Sequence, residues 1–141
     1  MGEPRTIEQR LDEIESRSAI ADLVHTYALH VRYGEPDQIG RLFTEDGVFE
    51  VRDGHPDQPE FTLRSRYGSR AEIHSHMSAN KGRAHPIPLI RNLIVRIDGD
   101  VAQSTCVMDG RVYGTDIYNQ GEYRDDYRRI DGRWYFSQRI Y

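Results

Sequence analysis

Cysteine and lysine each occur once, at Cys106 and Lys81, and nowhere do about eighteen apolar residues stand together. A lone cysteine excludes an internal disulfide and a multi-cysteine zinc site, and fits a reducing compartment. The N-terminal stretch "MGEPRTIEQRLDEIESR" has no apolar run of signal-peptide length. With no spanning segment either, the expectation is a soluble cytoplasmic protein without a membrane partner. Net charge is −4, with both signs mixed along the chain, so the electrostatic footprint of a nucleic-acid partner is lacking. Phosphate loop, dinucleotide fingerprint and "GxSxG" nucleophile motif are all missing, and Cys106 has no neighbouring cue for activation.

What is present is a chain of 141 residues, the length of one ordinary domain spanning 1–141, without internal repeats or low-complexity segments. Apolar residues Ala19, Ile20, Leu23, Val24, Tyr27, Ala28 and Val31 recur at three- and four-residue steps, which predicts an amphipathic helix over 7–33. Ser16 to Ser18 offer a hydroxyl able to cap a second segment, so a break is expected there. A short helix is read over Asp37 to Phe43, then a strand in "EDGVFEV". The turn-rich "RDGHPDQPEF" leads to a second strand, Phe61 to Tyr67. Ser69 is an N-cap for a third helix reaching about Asn80.

From there the pattern alternates. "IRNLIVRI" and "VAQSTCVMDGRVY" flank "DGD", and "GEYRDDYRRI" and "RWYFSQRIY" flank Asp131-Gly132, a strong hairpin signal. Helices first and meandering strands afterwards give an α+β class, with helices on one side of an antiparallel sheet. Both alternation sets of "LIRNLIVRI" carry aliphatics, Leu93, Val95 and Ile97 on one and Ile90 and Ile94 on the other. Such a strand is expected to be covered on both faces, the outer one by a second subunit.

Three stretches, "AIADLVHTYALHVRYGEPDQIGRLFTEDGVFEV", "NLIVRIDGDVA" and "GEYRDDYRRIDGRWYFSQR", resemble the SnoaL-like branch of the nuclear transport factor two-like superfamily. That branch includes scytalone dehydratase, bile acid dehydratase and hexachlorocyclohexane dehydrochlorinase. The resemblance covers nearly the whole chain. It implies a cone, a curved antiparallel sheet wrapped around N-terminal helices in a cystatin-like α+β barrel, with a mostly apolar pocket at its mouth. It also implies a homodimer or homotrimer and no metal or organic cofactor. In the lyase branch a helix aspartate and a strand histidine move a proton beside the leaving group. Here the aspartate slot falls on Arg32 and the histidine slot on Pro88, so that mechanism does not carry over unchanged.

Other groups must then supply the chemistry. His85 lies in "RAHPIPLIRN", where two prolines prevent a regular strand and let it reach the pocket as a base. Asp109 interrupts an apolar strand, either as a general base or paired with Arg32. Tyr27 lies on the buried stripe, where its hydroxyl needs a partner, and the resemblance implies that it hydrogen-bonds substrate oxygen; Tyr33 is a helix-end residue. Arg32 stands beside the buried stripe and calls for an anionic partner, carboxylate or ligand. The resemblance assigns Arg129 a pocket role at the leaving group. Asn92 and His30 complete the substrate-binding candidates, while His25 reads as a core residue. His74 and His76 sit two apart on a helix and point to nearly opposite sides, which argues against joint metal chelation. The expected activity is a cofactor-independent lyase or isomerase acting on a small cyclic or aromatic, anionic metabolite. The alternative is a small-molecule-binding module that keeps the fold without the dyad.

Overall fold

A computed structural model of the chain describes residues 3–54 and 62–141. The first helix, α1, spans Ile7–Tyr33. The Thr6 hydroxyl accepts the Gln9 N–H and the Gln9 side chain accepts the Thr6 N–H, a reciprocal capping box. Gly34, at φ 64°, closes the helix in the left-handed conformation and donates to the His30 and Val31 carbonyls. The break expected at Ser16 to Ser18 does not occur. Ser16 is buried and its hydroxyl accepts from Arg129 Nη1 at 3.1 Å, a tertiary partner in place of a capping role.

A short helix, α2, spans Pro36–Gly40, and Phe43 belongs to strand β1, Phe43–Asp53, not to the helix expected to reach it. The Leu42 carbonyl accepts the Phe136 N–H at 2.9 Å, which draws this segment into the sheet. Strand β2 is Thr62–Tyr67, and most of the connection before it, with Phe61, lies outside the described residues. Helix α3, Arg70–Ala79, is capped by Ser69, whose Oγ accepts the Glu72 N–H. The meander follows as β3 Leu89–Asp98, β4 Val101–Arg111, β5 Tyr118–Ile130 and β6 Arg133–Ile140.

The six strands form one curved, unclosed sheet in the order β2-β1-β6-β5-β4-β3. Neighbours are antiparallel except β1 and β6, which run parallel, a departure from the all-antiparallel expectation. Parallel pairing needs a long crossover, and the whole chain between β1 and β6 supplies it. The β1–β2 hairpin thus joins the later meander side by side. Helix α1 packs on β3 and β6, and α3 on β1 and α2. Ile20, Leu23, Val24 and Tyr27 from the α1 stripe share one apolar cluster with Phe43, Ile73, Trp134 and Phe136. Full burial of one such side chain stabilises by roughly 1.5–3 kcal/mol.

Strand β3 resolves its two aliphatic sets differently from the expectation. Its register against β4 shifts between Arg91 and Ile94, and Asn92 takes φ 55° at the bulge. The extra residue turns Ile90 inward with Leu93, Val95 and Ile97, all packed against the core. Leu89 and Ile94 are left on the outer face, both exposed.

A buried ion pair sits inside the sheet. Arg139 Nε lies 3.2 Å from Asp125 Oδ1, and both side chains are fully shielded from solvent. The guanidinium carbon is 3.5 Å from the Tyr123 ring centroid, 4.2 Å from that of Tyr27 and 4.7 Å from that of Phe136. Burial pushes the Asp125 carboxyl up to about 6, with Arg139 and the Tyr127 hydroxyl pulling against it. Removing one partner strands a charge in the core, whereas removing both does not. Arg139→Met is therefore expected to lose about 3–5 kcal/mol, and Asp125→Leu/Arg139→Met to recover most of it, measured by urea unfolding. Because the folded-state value of Asp125 exceeds the unfolded one, its contribution to stability is full below the ordinary carboxylate value of 3.8 and declines as pH rises toward about 6. Unfolding midpoints of wild type and Asp125→Asn compared across that window should show this slope only in wild type.

Candidate functional site

The inner side of the sheet, the end of α1 and helix α3 enclose a cavity of about 370 Å³. Tyr27, Val31, Ile39, Phe49, Met108, Tyr123 and Tyr141 are among its apolar lining. Tyr27 meets Tyr123 and Phe136 edge-on, at centroid distances of 6.1 and 5.9 Å. Burial raises the Tyr27 phenol to about 12, Tyr123 well above its usual value, and Tyr141 in the same direction. These hydroxyls therefore stay protonated and act as hydrogen-bond donors. Those of Tyr27 and Tyr123 have no partner among the described residues, which leaves them for a ligand.

Two imidazoles reach the cavity. His76 stacks on Tyr67 at 4.1 Å with 20° between the planes, and burial lowers its pKa, so the ring is held neutral. Asn80 Nδ2 lies 2.9 Å from the His76 carbonyl oxygen and 3.1 Å from His76 Nδ1. The amide nitrogen is the donor here, facing the ring edge with Nδ1 the nearer nitrogen and Nε2 at 3.5 Å. His74, two residues earlier, points away and pairs with Asp37.

His85 belongs to the irregular segment between α3 and β3. Its Nδ1 is 2.7 Å from the Arg83 carbonyl oxygen and its Nε2 3.2 Å from that of Val31. A neutral ring donates to only one of the two; both are hydrogen bonds when both nitrogens carry protons. The segment is pinned to β4 by the Ile87 N–H, 3.0 Å from the Arg111 carbonyl oxygen, and by a bridge between Pro86 and Val112. Gly110 makes that crossing feasible, since a Cβ there would stand 2.4 Å from the Ile87 carbonyl oxygen. Gly110→Ala is expected to push the His85 segment off β4 and weaken ligand binding severalfold, with a smaller effect on the unfolding midpoint; titration with 2-naphthol alongside urea denaturation measures both.

Glu35 is the carboxylate at this cavity. The left-handed turn at Gly34 lets the Glu35 N–H reach the His30 carbonyl at 3.0 Å, and His30 Nδ1 lies 3.1 Å from Glu35 Oε1. Lys81 is the cation of the lining.

Of the residues singled out from sequence, Tyr27 and His85 line this cavity, as does Pro88 in the histidine slot. His30 takes part through Glu35. The others are placed elsewhere. Asp109 faces the outer side of the sheet, its Oδ2 3.0 Å from Arg91 Nε, because strand alternation gives the inner side to Met108. Arg129 is held at the other end of α1 by Asp12 and Asp100, each at 2.8 Å, and lies over Trp134 at 5.1 Å. Asn92 is the exposed bulge residue of β3. Arg32 is exposed and lines a separate outer groove, not the buried stripe and not Asp109; the α1 stripe has rotated away by its last turn. Tyr33 is exposed beside it, and His25 is exposed as well, not in the core. Cys106 is buried, its thiol raised to about 11, which leaves it inert as a nucleophile.

Glu35, His76, Asn80, Tyr123 and Tyr141 escaped the sequence reading. Tyr123, Asp125 and Tyr127 do alternate on one face of "EYRDDY", a usable signal. In β6 the pairing shift opposite Asp126 and Tyr127 adds a residue after Phe136, so simple alternation misplaces Arg139 and Tyr141.

An α+β fold with N-terminal helices against one curved, unclosed sheet, and an apolar cavity between them, defines the architectural class. Residues 12–140 match the model of the SnoaL-like domain, and the chain belongs to that family. Among solved structures it is similar to a Mycobacterium tuberculosis protein of unknown function, at 24% identity and a TM-score of 0.76, covering 99% of this chain and 76% of that one. An NTF2-like protein with a cystatin-like fold from Novosphingobium aromaticivorans aligns with 21% identity, a TM-score of 0.74 and coverage of 99% and 89%. A candidate scytalone dehydratase from the same organism aligns with 19% identity, a TM-score of 0.67 and coverage of 92% and 84%. Likeness at this level shows the fold. Among curated proteins no relative matches. No helix among the described residues is long and apolar enough to cross a membrane.

Proposed function

We propose that this protein is a cofactor-independent lyase or isomerase that moves a proton on a small cyclic or aromatic molecule held in the cone. The observation that carries the reading is the meeting, in one apolar cavity, of protonated phenols with a carboxylate and an imidazole, Glu35 and His85. A cavity of this size and lining suits a one- or two-ring ligand. The resemblance of its fold to a candidate scytalone dehydratase supports the reaction class.

Glu35 replaces Asp109 as the proton acceptor, with the His30 contact on Oε1 leaving Oε2 for the ligand. It takes a proton from the carbon next to a carbonyl, and the C–H electron pair moves into an enolate. Tyr27, with the His76 imidazole also lining the cavity, meets the enolate oxygen, a donor that needs no reorganisation as charge develops. Collapse of the enolate returns a proton at another carbon, or expels a leaving group that takes its proton from His85. The exposed Leu89, Ile94 and Val101 on the outer face support a homodimer or homotrimer, and the single buried cysteine supports a cytoplasmic setting.

Deuterium uptake into 2-tetralone, followed by proton NMR, tests proton transfer without knowledge of the natural substrate. Wild type is expected to accelerate exchange over buffer, Glu35→Gln to lower the rate on the order of 10²-fold, and Tyr27→Phe about tenfold. Exchange no faster than buffer in a protein that binds the ketone would instead establish the non-catalytic binding module. The double carbonyl contact of His85, which occupies both nitrogens, favours that second reading.

A further inference from the structure

The apolar cavity has a neighbour. Arg32, Arg83, His85, Arg111, Tyr33 and Tyr113 line a groove of about 1240 Å³ on the outer side of the same wall. Gly82 and His85 border both spaces. In the last turn of α1, Val31 lines the inner cavity and Arg32 the groove. The two spaces thus adjoin at the His85 segment.

We propose that the groove holds the anionic tail of the ligand, ending in a phosphate or carboxylate, while the ring system enters the cone. Three arginines line it from three places in the chain: the end of α1, the segment before β3 and the end of β4. None of the three has a hydrogen bond or ion pair among the described residues. Elsewhere on the surface Arg17, Arg91, Arg128 and Arg129 are each met by a carboxylate. Asp116 is the acid lining the groove, so it is positive in a chain whose net charge is −4. Guanidinium forks left unsatisfied by their own chain match the paired oxygens of phosphate and carboxylate. Tyr33 and Tyr113, 66% and 87% exposed, offer flat faces along which a tail can lie. The inner cavity has Lys81 as a point charge but no planar guanidinium fork in its lining, so a ligand carrying both ring and anion is better met when divided between the two spaces. The ring-shaped part of this ligand class rests on the reading of the cone as a small-molecule site.

Three probes separate the claims: the 2-naphthyl ether of hexane-1,6-diol with its other hydroxyl free, the same molecule as a phosphate monoester, and the matching hexanoate. Affinities are measured by calorimetry at low salt for wild type and for Arg32→Ala/Arg83→Ala/Arg111→Ala, all three sites being exposed. In wild type the charged probes should bind about tenfold or more tightly than the neutral one, and added salt should shrink that ratio. In the triple variant the ratio should fall to near one. A preference for phosphate over carboxylate, or the reverse, supports the proposal and names the tail. A ratio near one in wild type, or one that survives the triple substitution, overturns the anionic tail while leaving the cone a binding site. Failure of the neutral probe to bind overturns the small-molecule reading and the tail with it.

Discussion

An arginine with no exposed surface, facing an aspartate with none, is the constraint around which this cone is arranged. Two ions removed from water cost several kcal/mol each, and their attraction repays this only when the geometry is held. The holding is done by aromatic rings. Tyr27 comes from α1, Tyr123 from β5 and Phe136 from β6, and all three lie against the Arg139 guanidinium. Tyr127, hydrogen-bonded to Ser104 at 2.7 Å, adds its hydroxyl toward Asp125. A shift of any one element would uncover a charge, so helix and sheet are locked to one another at this point.

That lock has a second effect on the cavity. The faces of Tyr27 and Tyr123 that meet the cation are turned inward, and the same two residues line the ligand space. Their positions are fixed before any ligand arrives. Burial holds their protons on, so the cavity offers donors whose orientation costs nothing on binding. The remaining polar groups come from less regular backbone: Glu35 after the glycine that ends α1, and His85 from the segment laid across Gly110. Rigid phenols and loop-borne proton carriers are thus supplied by different kinds of structure.

The sequence made the α+β class, the long first helix, the Ser69 cap and the hairpin at Asp131-Gly132 legible, because each depends on local periodicity or turn chemistry. The site was harder to see. Tyr27 and His85, singled out by a place on the apolar stripe and by prolines that break strand alternation, do line the cavity. Arg129 and Asp109 carry the right chemistry but have closer partners, Asp12 and Asp100 for one, Arg91 for the other. Neither contact is written in local pattern. Arg139 and Tyr141 were hidden by a pairing shift in β6, and Ile90 was misread through a bulge in β3. One inserted residue exchanges inside for outside, and period-two reasoning has no means of registering it.

The bulge at Asn92 also bears on how the molecule behaves in a crowd. Strand β3 is an edge of the open sheet, and apart from the Val95 carbonyl, which Arg17 Nη1 holds at 2.6 Å, its outer row of backbone donors and acceptors could template an incoming strand. A left-handed residue in its middle breaks that row into two short pieces on either side of the register shift. Arg91 and Arg96 stand exposed along it, so a strand docking there would meet charge as well as a mismatched ladder. The kink that sorts the aliphatics of β3 therefore doubles as a guard against runaway strand addition.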